Sequence, residues 1–266
     1  MRTIQHNVEI RALGSLQVAT GGNALDLGNR RVRRPLDLLR ALVAAGPDGA
    51  SRDDLCESVW ELPRTSSYRS LVTTVYRLRR LLNDPAAVEF SSRRVALDAY
   101  RVWVDAWDFE ASLATPPSSR SETLELLSLY RGALFEGQFA PYITAARQRL
   151  SGIYAAASLK VGAELVNDGA LGAAQLHYER ALQHDSRSEE LFRALIEVLG
   201  MRGRGAAATI TYNSCAVAMR RFHGRMPSGA TRAAWESAAG LAGGEPGPGA
   251  GVSVAPPGAT GQPVFA

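Results

Sequence analysis

Hydrophobic positions between Ser66 and Leu82 recur with the period of an α-helix. The apolar side chains follow one another at intervals of four, three and four residues: Leu71, Val75, Leu78 and Leu82. This spacing puts them on one face of an amphipathic helix, and Val72 and Leu81 are predicted to widen that face. Ser66 is the predicted N-cap, and the sequence Asn-Asp-Pro that begins at Asn83 predicts where the helix stops.

The pattern on either side of this helix predicts a small unit of strands and helices. Alternating apolar and polar residues at Val8–Val18 and Val88–Asp105 predict strands. Two helical patterns lie between them, one that starts near Pro35 and one that Ser51 caps. The order strands, helix, helix, helix, hairpin is that of a winged helix-turn-helix. In that fold the third helix enters the major groove and the hairpin lies against the DNA backbone.

The chain between Ser121 and Gly240 predicts an all-helical region. It is rich in Ala and Leu with helical periodicity, and three positions recur at an offset of 34 residues: Ala174, Tyr178 and Ala181 correspond to Ala208, Tyr212 and Cys215. An offset of this length is the period of tetratricopeptide repeats. We interpret "SLYRGAL", which contains Tyr130, as an earlier copy of the same pattern. Residues 241–266 are rich in Gly, Pro and Ala and predict a disordered tail.

Positive charge is concentrated in the first part of the chain. Residues 1–104 hold 16 Arg and 11 acids, a net charge of 16 − 11 = +5, whereas residues 105–266 hold 14 basic and 15 acidic residues, a net charge of 14 − 15 = −1. This division fits a phosphate-binding module followed by a nearly neutral partner module.

The predicted third helix has a basic, hydroxyl-rich face that contains no carboxylate. Arg and Ser or Thr are the side chains that reach phosphates and base edges, so this face and the hairpin tip are the candidate DNA-binding surface. We assign base readout to Thr73 and Arg77, phosphate contacts to Arg69, Ser70 and Arg80, and backbone or minor-groove contacts to Arg93 and Arg94. A solvated surface stripe is the alternative interpretation of this face.

Two further residues of this helix are assigned structural roles. Tyr76 is expected to shield the hydrophobic core, although packing across phosphates is the other option. Arg79 lies around the side of the helix, where it is expected to pair with Asp84 or Glu89.

These motifs resemble a known family of bacterial regulators. Residues 8–105 resemble the OmpR-type winged helix in the stretches "RRPLDLLRALVAAG", "SRDDLCESVW", "LVTTVYRLRRLL" and "YRVWVDAWDFE". The stretch "LYRGALFEGQFAPYITAARQRL" (129–150) resembles the bacterial transcriptional activation domain. Together they resemble the Streptomyces antibiotic regulatory proteins and the carboxy-terminal modules of MalT-like regulators. The resemblance implies binding at direct repeats upstream of promoters and contact with RNA polymerase, with a homodimer on DNA as one option.

We therefore expect a mainly α fold with a small β component. Residues 1–105 are predicted to form the winged-helix domain, 106–240 the tetratricopeptide-like domain and 241–266 the tail. The predicted function is a sequence-specific DNA-binding transcription regulator, an activator that contacts RNA polymerase through its helical-repeat domain. The alternative is a protein–protein interaction scaffold whose winged helix no longer reads DNA. Such a scaffold would be expected to lose Arg77, Arg80 and the arginines of the hairpin tip.

No pattern for catalysis, metal binding or membrane insertion is readable in the sequence. Cys56 and Cys215 are far apart, His177 and His184 lack a third ligand, and there is no GxxxxGK[ST] motif. No apolar run approaches the ~18 residues that a spanning helix needs. We expect a cytoplasmic, nucleoid-associated protein that is not an enzyme and has no cofactor, metal or membrane partner.

Overall fold

Strands from both ends of the N-terminal region pair with one another in a computed structural model that describes residues 6–28, 32–60 and 64–240. The strands are β1 (Val8–Arg11), β2 (Gln17–Thr20), β3 (Asn23–Ala24), β4 (Ala50–Ser51), β5 (Val88–Phe90), β6 (Arg94–Leu97) and β7 (Val102–Val104). The first sheet has the order β3-β2-β1-β7, in which β7 runs parallel to β1. The second sheet has the order β4-β6-β5, and β5 and β6 form the hairpin.

Three helices lie between these strands and complete a winged helix-turn-helix, as the sequence predicted. They are α1 (Arg33–Ala45), α2 (Arg52–Trp60) and α3 (Arg64–Leu81). Ser51 caps α2 as predicted, because its Oγ accepts a hydrogen bond from the backbone N–H of Asp54 at 3.0 Å. The hairpin β5–β6 is the wing, and its tip is formed by residues 91–93.

The apolar stripe of α3 faces the core, with two corrections to the predicted helix. Leu71, Val75, Leu78 and Leu82 are each at most 3% exposed. The helix begins at Arg64, before the predicted cap at Ser66. Val72 is exposed rather than part of the stripe, and the neighbouring Thr74 is buried in its place. Thr74 can be buried because its hydroxyl donates to the carbonyl oxygen of Ser70 at 2.7 Å.

The remainder of the described chain is helical. Its helices are α4 (Asp105–Ala114), α5 (Arg120–Leu127), α6 (Pro141–Asn167), α7 (Leu171–His184), α8 (Glu189–Met201), α9 (Gly205–His223) and α10 (Gly229–Ala238). All six positions of the 34-residue repeat are buried. Tyr178 packs directly on Gly162 of α6, and the ring of Tyr212 stacks on Trp235 with centroids 4.5 Å apart. The two repeated tyrosines therefore fill the space between adjacent helices, Tyr178 against the helix before its own and Tyr212 against the helix after its own.

Tyr130 does not belong to an earlier repeat, contrary to the prediction. It lies in the segment between α5 and α6, where the backbone is not helical. This backbone pairs with the end of β1 instead, since the N–H groups of Phe135 and Glu136 donate to the carbonyl oxygens of Ala12 and Gly14 at 2.9 and 2.8 Å. Tyr130 itself is buried, and its hydroxyl donates to Asp185 at 2.6 Å.

A buried carboxylate joins the winged helix to the helices that follow. Asp105 accepts hydrogen bonds from the backbone N–H groups of Ala12 and Leu13 at 2.7 and 3.2 Å, and Arg131 lies 3.2 Å from it. Burial raises the pKa of Asp105, although these hydrogen bonds oppose the shift. Asp105 is also the last residue of the predicted winged-helix domain. Its side chain contacts both the winged helix and the helical region, so the two regions are in contact at this point.

The predicted tail, 241–266, lies outside the described residues. Within the described residues, no helix is both long enough and apolar enough to cross a membrane.

Candidate nucleic-acid interface

The face of α3 opposite its buried stripe carries the side chains assigned to DNA binding. Arg69, Thr73, Arg77 and Arg80 are exposed, and Ser70 is half-buried. The hydroxyl of Thr73 donates to the carbonyl oxygen of Arg69 at 2.9 Å, which leaves its oxygen free to accept and its methyl group available for contact. Helix α3 contains no carboxylate, and none of its three exposed arginines pairs with an acid among the described residues.

The tip of the wing presents two further exposed arginines. Ser91 holds the turn, because its Oγ accepts from the backbone N–H of Arg94 at 3.0 Å and its own N–H donates to the carbonyl oxygen of Arg94 at 2.9 Å. Arg93 and Arg94 are exposed, and in the described part of the chain neither side chain forms an ion pair. The tip therefore has a hydrogen-bonded turn and two guanidinium groups without an acidic partner among the described residues.

Arg52 links the wing to α3, and sequence reasoning did not identify it. Its guanidinium donates to the carbonyl oxygens of Ser91 and Ser92 at 3.3 and 2.8 Å. The same group lies over the ring of Tyr68, 4.1 Å from the centroid, and over the ring of Phe90 at 5.1 Å. One side chain at the start of α2 thus contacts both surfaces that would hold DNA. Nothing in its immediate sequence signals this, since Ser91 follows about 40 residues later.

Tyr76 lies on the exposed face and does not shield the core. It follows Thr73 by three residues and precedes Arg80 by four, so it occupies the middle of the candidate surface. The expectation of a core role was wrong because helical spacing alone did not show how far the buried face extends.

Arg79 has a structural role, although not the predicted one. Its Nε and Nη2 donate to the carbonyl oxygen of Val88 at 3.0 and 2.6 Å, instead of pairing with Asp84 or Glu89. Arg79 therefore fixes the end of α3 to the first strand of the wing.

Two histidines contact backbone carbonyl oxygens, and both cysteines are buried. Nε2 of His177 lies 2.9 Å from the carbonyl oxygen of Ser158, and Nδ1 of His184 lies 3.1 Å from that of Arg131. Cys56 and Cys215 are buried free thiols. Among the described residues, no group of three or more His, Cys, Asp or Glu side chains is arranged to hold a metal ion.

A winged helix followed by helical repeats defines a class of two-part bacterial regulators, and comparison places this chain among them. Residues 104–237, just over half of the chain, match the family described as "Bacterial transcriptional activator domain". The chain belongs to this family of transcriptional activators.

The fold also resembles a solved structure of Mycobacterium tuberculosis EmbR in complex with a low affinity phosphopeptide. The TM-score is 0.60 at 19% sequence identity, and the match covers 88% of this chain. The chain spans 65% of the length of that protein, so the likeness concerns the fold that both share. No curated protein matches the sequence.

Proposed function

We propose that this chain is a sequence-specific DNA-binding transcription regulator that reads the major groove with α3 and activates through its helical region. One observation supports DNA binding above all. The exposed arginines of α3 and the wing tip have no acidic partner among the described residues, whereas Arg79 in the same helix is bound to Val88. A guanidinium group exposed without an internal partner is available for phosphates and base edges.

The position of each side chain gives it a role. Arg77 and Thr73 lie one turn apart on α3, and base readout is assigned to them. Arg69, Ser70 and Arg80 flank them and contact phosphates. Arg93 and Arg94 bind the DNA backbone or the minor groove from the wing, which Arg52 holds against α3. Two copies of the chain would bind a direct repeat in this arrangement.

A groove in the helical region is the proposed surface for RNA polymerase. It has a volume of about 770 Å³ and is lined by residues of α7, α8 and α9. Ile210 and Val217 lie two turns apart on α9, line this groove and are 68% and 69% exposed. Exposed aliphatic side chains in a concave surface are typical of a site that binds another protein. No step of this function requires catalysis or a cofactor.

Selection on a randomised duplex pool at near-physiological salt tests DNA reading. We expect enrichment of a short motif, most clearly as a spaced direct repeat.

Two variants test the roles of individual arginines. Arg77→Ala should cost ~1–3 kcal/mol of binding free energy and relax specificity at one base position, whereas Arg94→Ala should weaken binding to all sequences alike and reduce the slope of log affinity against log salt concentration by about one. Arg149→Ala is the matched control, because Arg149 pairs with Glu110 at 2.6 Å in the helical region.

Two results would contradict this proposal. Absence of an enriched motif, with binding that disappears as salt rises, would indicate only counterion-driven binding and favour the scaffold alternative. Equal, sequence-independent losses for Arg77→Ala and Arg94→Ala would refute the assignment of base readout to Arg77.

In vitro transcription on the selected site tests the polymerase surface separately. The double variant Ile210→Asp and Val217→Asp should bind DNA like the parent chain but fail to stimulate transcription, because two charges would enter the apolar part of the groove. Full stimulation by this variant would exclude the groove as the contact surface.

A further inference from the structure

An exposed apolar stripe runs along α3 beside the basic residues. Tyr68, Val72 and Tyr76 follow one another at four-residue intervals, and their side chains are 40%, 42% and 65% exposed. Residues four apart are neighbours on a helix surface, so these three form a continuous row. Each of the last two directly precedes a residue assigned to base readout, since Val72 is followed by Thr73 and Tyr76 by Arg77.

Helix stability does not explain this stripe. Valine and tyrosine are weaker helix formers than the Glu, Lys, Gln and Arg that commonly occupy exposed helix positions. Arg52 already covers the ring of Tyr68. The apolar surface left open is therefore that of Val72 and Tyr76, in the middle of the recognition face.

The charges around the stripe restrict what can cover it. Arg69, Arg77 and Arg80 border it, and α3 provides no carboxylate. A suitable partner is therefore anionic at its edges and apolar between them. A second copy of this same face does not fit, because it would bring these arginines against their own equivalents. The major groove fits, since phosphates line its edges and the C5-methyl group of thymine is its apolar feature.

We propose that Val72 and Tyr76 read thymine methyl groups, so that the target sequence contains thymines beside the base pair contacted by Arg77. This inference rests on the proposed DNA-binding function and specifies its target. Hydrogen bonds from Thr73 and Arg77 would select donors and acceptors on the base edges, and the stripe would select methyl groups.

The test uses the duplex that the selection enriches, with each thymine replaced in turn by deoxyuridine. This replacement removes the methyl group and keeps every hydrogen-bonding group of the base. We expect affinity to fall about fourfold at each contacted thymine, as burial of one methyl group predicts, and to stay unchanged at the others. Binding is measured with the full chain by fluorescence anisotropy.

Variants assign the effect to the stripe. Val72→Ala should abolish the sensitivity to deoxyuridine at one thymine, and Tyr76→Ala at another. Arg94→Ala is the control, since it should weaken binding while the sensitivity to deoxyuridine stays complete. Val72 and Tyr76 are exposed, so both variants should fold, and circular dichroism checks this directly.

Three outcomes would overturn the proposal. An enriched motif whose affinity no deoxyuridine changes would refute methyl readout while leaving DNA recognition intact. Sensitivity to deoxyuridine that persists unchanged in both Val72→Ala and Tyr76→Ala would move methyl readout to other residues. A pool without any enriched motif would refute the proposed function together with this inference.

Discussion

Arginine is used differently in the two regions of this molecule. In the helical region five arginines pair with acids of the same chain: Arg120 with Asp168, Arg131 with Asp105, Arg149 with Glu110, Arg187 with Asp185 and Arg225 with Glu189. On α3 and the wing tip the exposed arginines have no such partners within the described residues: Arg69, Arg77, Arg80, Arg93 and Arg94. Identical side chains thus hold the fold together at these five helical positions and remain available to a ligand on α3 and the wing tip.

Net charge alone does not explain this difference. The N-terminal part has an excess of basic residues, yet Arg40 pairs with Asp37 at 3.1 Å and Arg101 with Asp84 at 3.3 Å. Both are in the winged helix but away from the candidate surface. Five exposed arginines without an ion pair among the described residues share one helix face and one hairpin tip, and this clustering distinguishes a binding surface from a generally basic domain.

Loss of a buried acid should produce the largest effect, and on folding alone. Glu189 is buried and accepts from the N–H of Ser228 at 2.6 Å and the hydroxyl of Thr231 at 2.7 Å, with Arg225 beside it. Burial alone would raise the pKa of Glu189, but these hydrogen bonds outweigh it and lower the pKa to about 2. The lowered pKa means that ionised Glu189 stabilises the fold above pH 4.5, and that this is lost as pH falls towards 2.

We therefore expect Glu189→Gln to reduce the free energy of unfolding by about 3 kcal/mol at pH 7. Urea denaturation at pH 7 and at pH 3 measures this, and the variant should lose less stability on acidification than the parent. Glu190→Gln is the matched control, because the neighbouring Glu190 is exposed. DNA affinity of the folded fraction should be unchanged in both. Equal stabilities of the two variants at pH 7 would contradict the role of Glu189.

Two glycines of one helix should respond in opposite directions to the same change. A methyl group on Gly162 would overlap the ring and hydroxyl of Tyr178, whereas Gly152 on the same helix has open space beside it. Gly162→Ala should destabilise the fold by about 2 kcal/mol through overpacking. Gly152→Ala should stabilise it by about 0.5–1 kcal/mol, because alanine is the better helix former. Thermal denaturation of both variants and the parent chain measures these changes in stability. Stabilisation by both substitutions would show that Tyr178 moves aside easily.

The features of the fold that depend on a regular spacing of residues were predicted from the sequence. The buried stripe of α3 and the 34-residue repeat were both recoverable, because each is a regular spacing of apolar or small residues. The spacing did not show how wide the buried face is, so Val72 was predicted to widen it and Tyr76 to shield the core, whereas both are exposed. Tyr130 was misassigned since the segment that follows it, Ala133 to Glu136, forms backbone hydrogen bonds with the distant Ala12–Gly14 segment, a contact with no local signal.

Arg52 is the clearest case of a contact that the sequence does not encode locally. Its partners, Tyr68 and the carbonyl oxygens of Ser91 and Ser92, come together only after the hairpin folds back on α3. We expect Arg52→Ala to weaken DNA binding about tenfold, because the wing loses two charged hydrogen bonds and the two cation–π contacts that position it. Arg52→Lys should weaken binding nearly as much, since lysine keeps the charge but lacks the planar guanidinium.

Variants of Arg52 and Arg94 distinguish two possible roles of the Arg52 guanidinium, which are positioning of the wing and direct contact with a phosphate. If Arg52 positions the wing, combining Arg52→Ala with Arg94→Ala should cost less than the sum of the single losses, because Arg94 acts only from a wing that is held in place. Direct contact between Arg52 and a phosphate would instead give additive losses and leave Arg52→Lys close to the parent chain. Anisotropy titrations of the two single variants and the double variant over a range of salt concentrations distinguish these results. Non-additivity would place Arg52 with the paired arginines that hold the fold together, although it lies beside the surface where arginines are free.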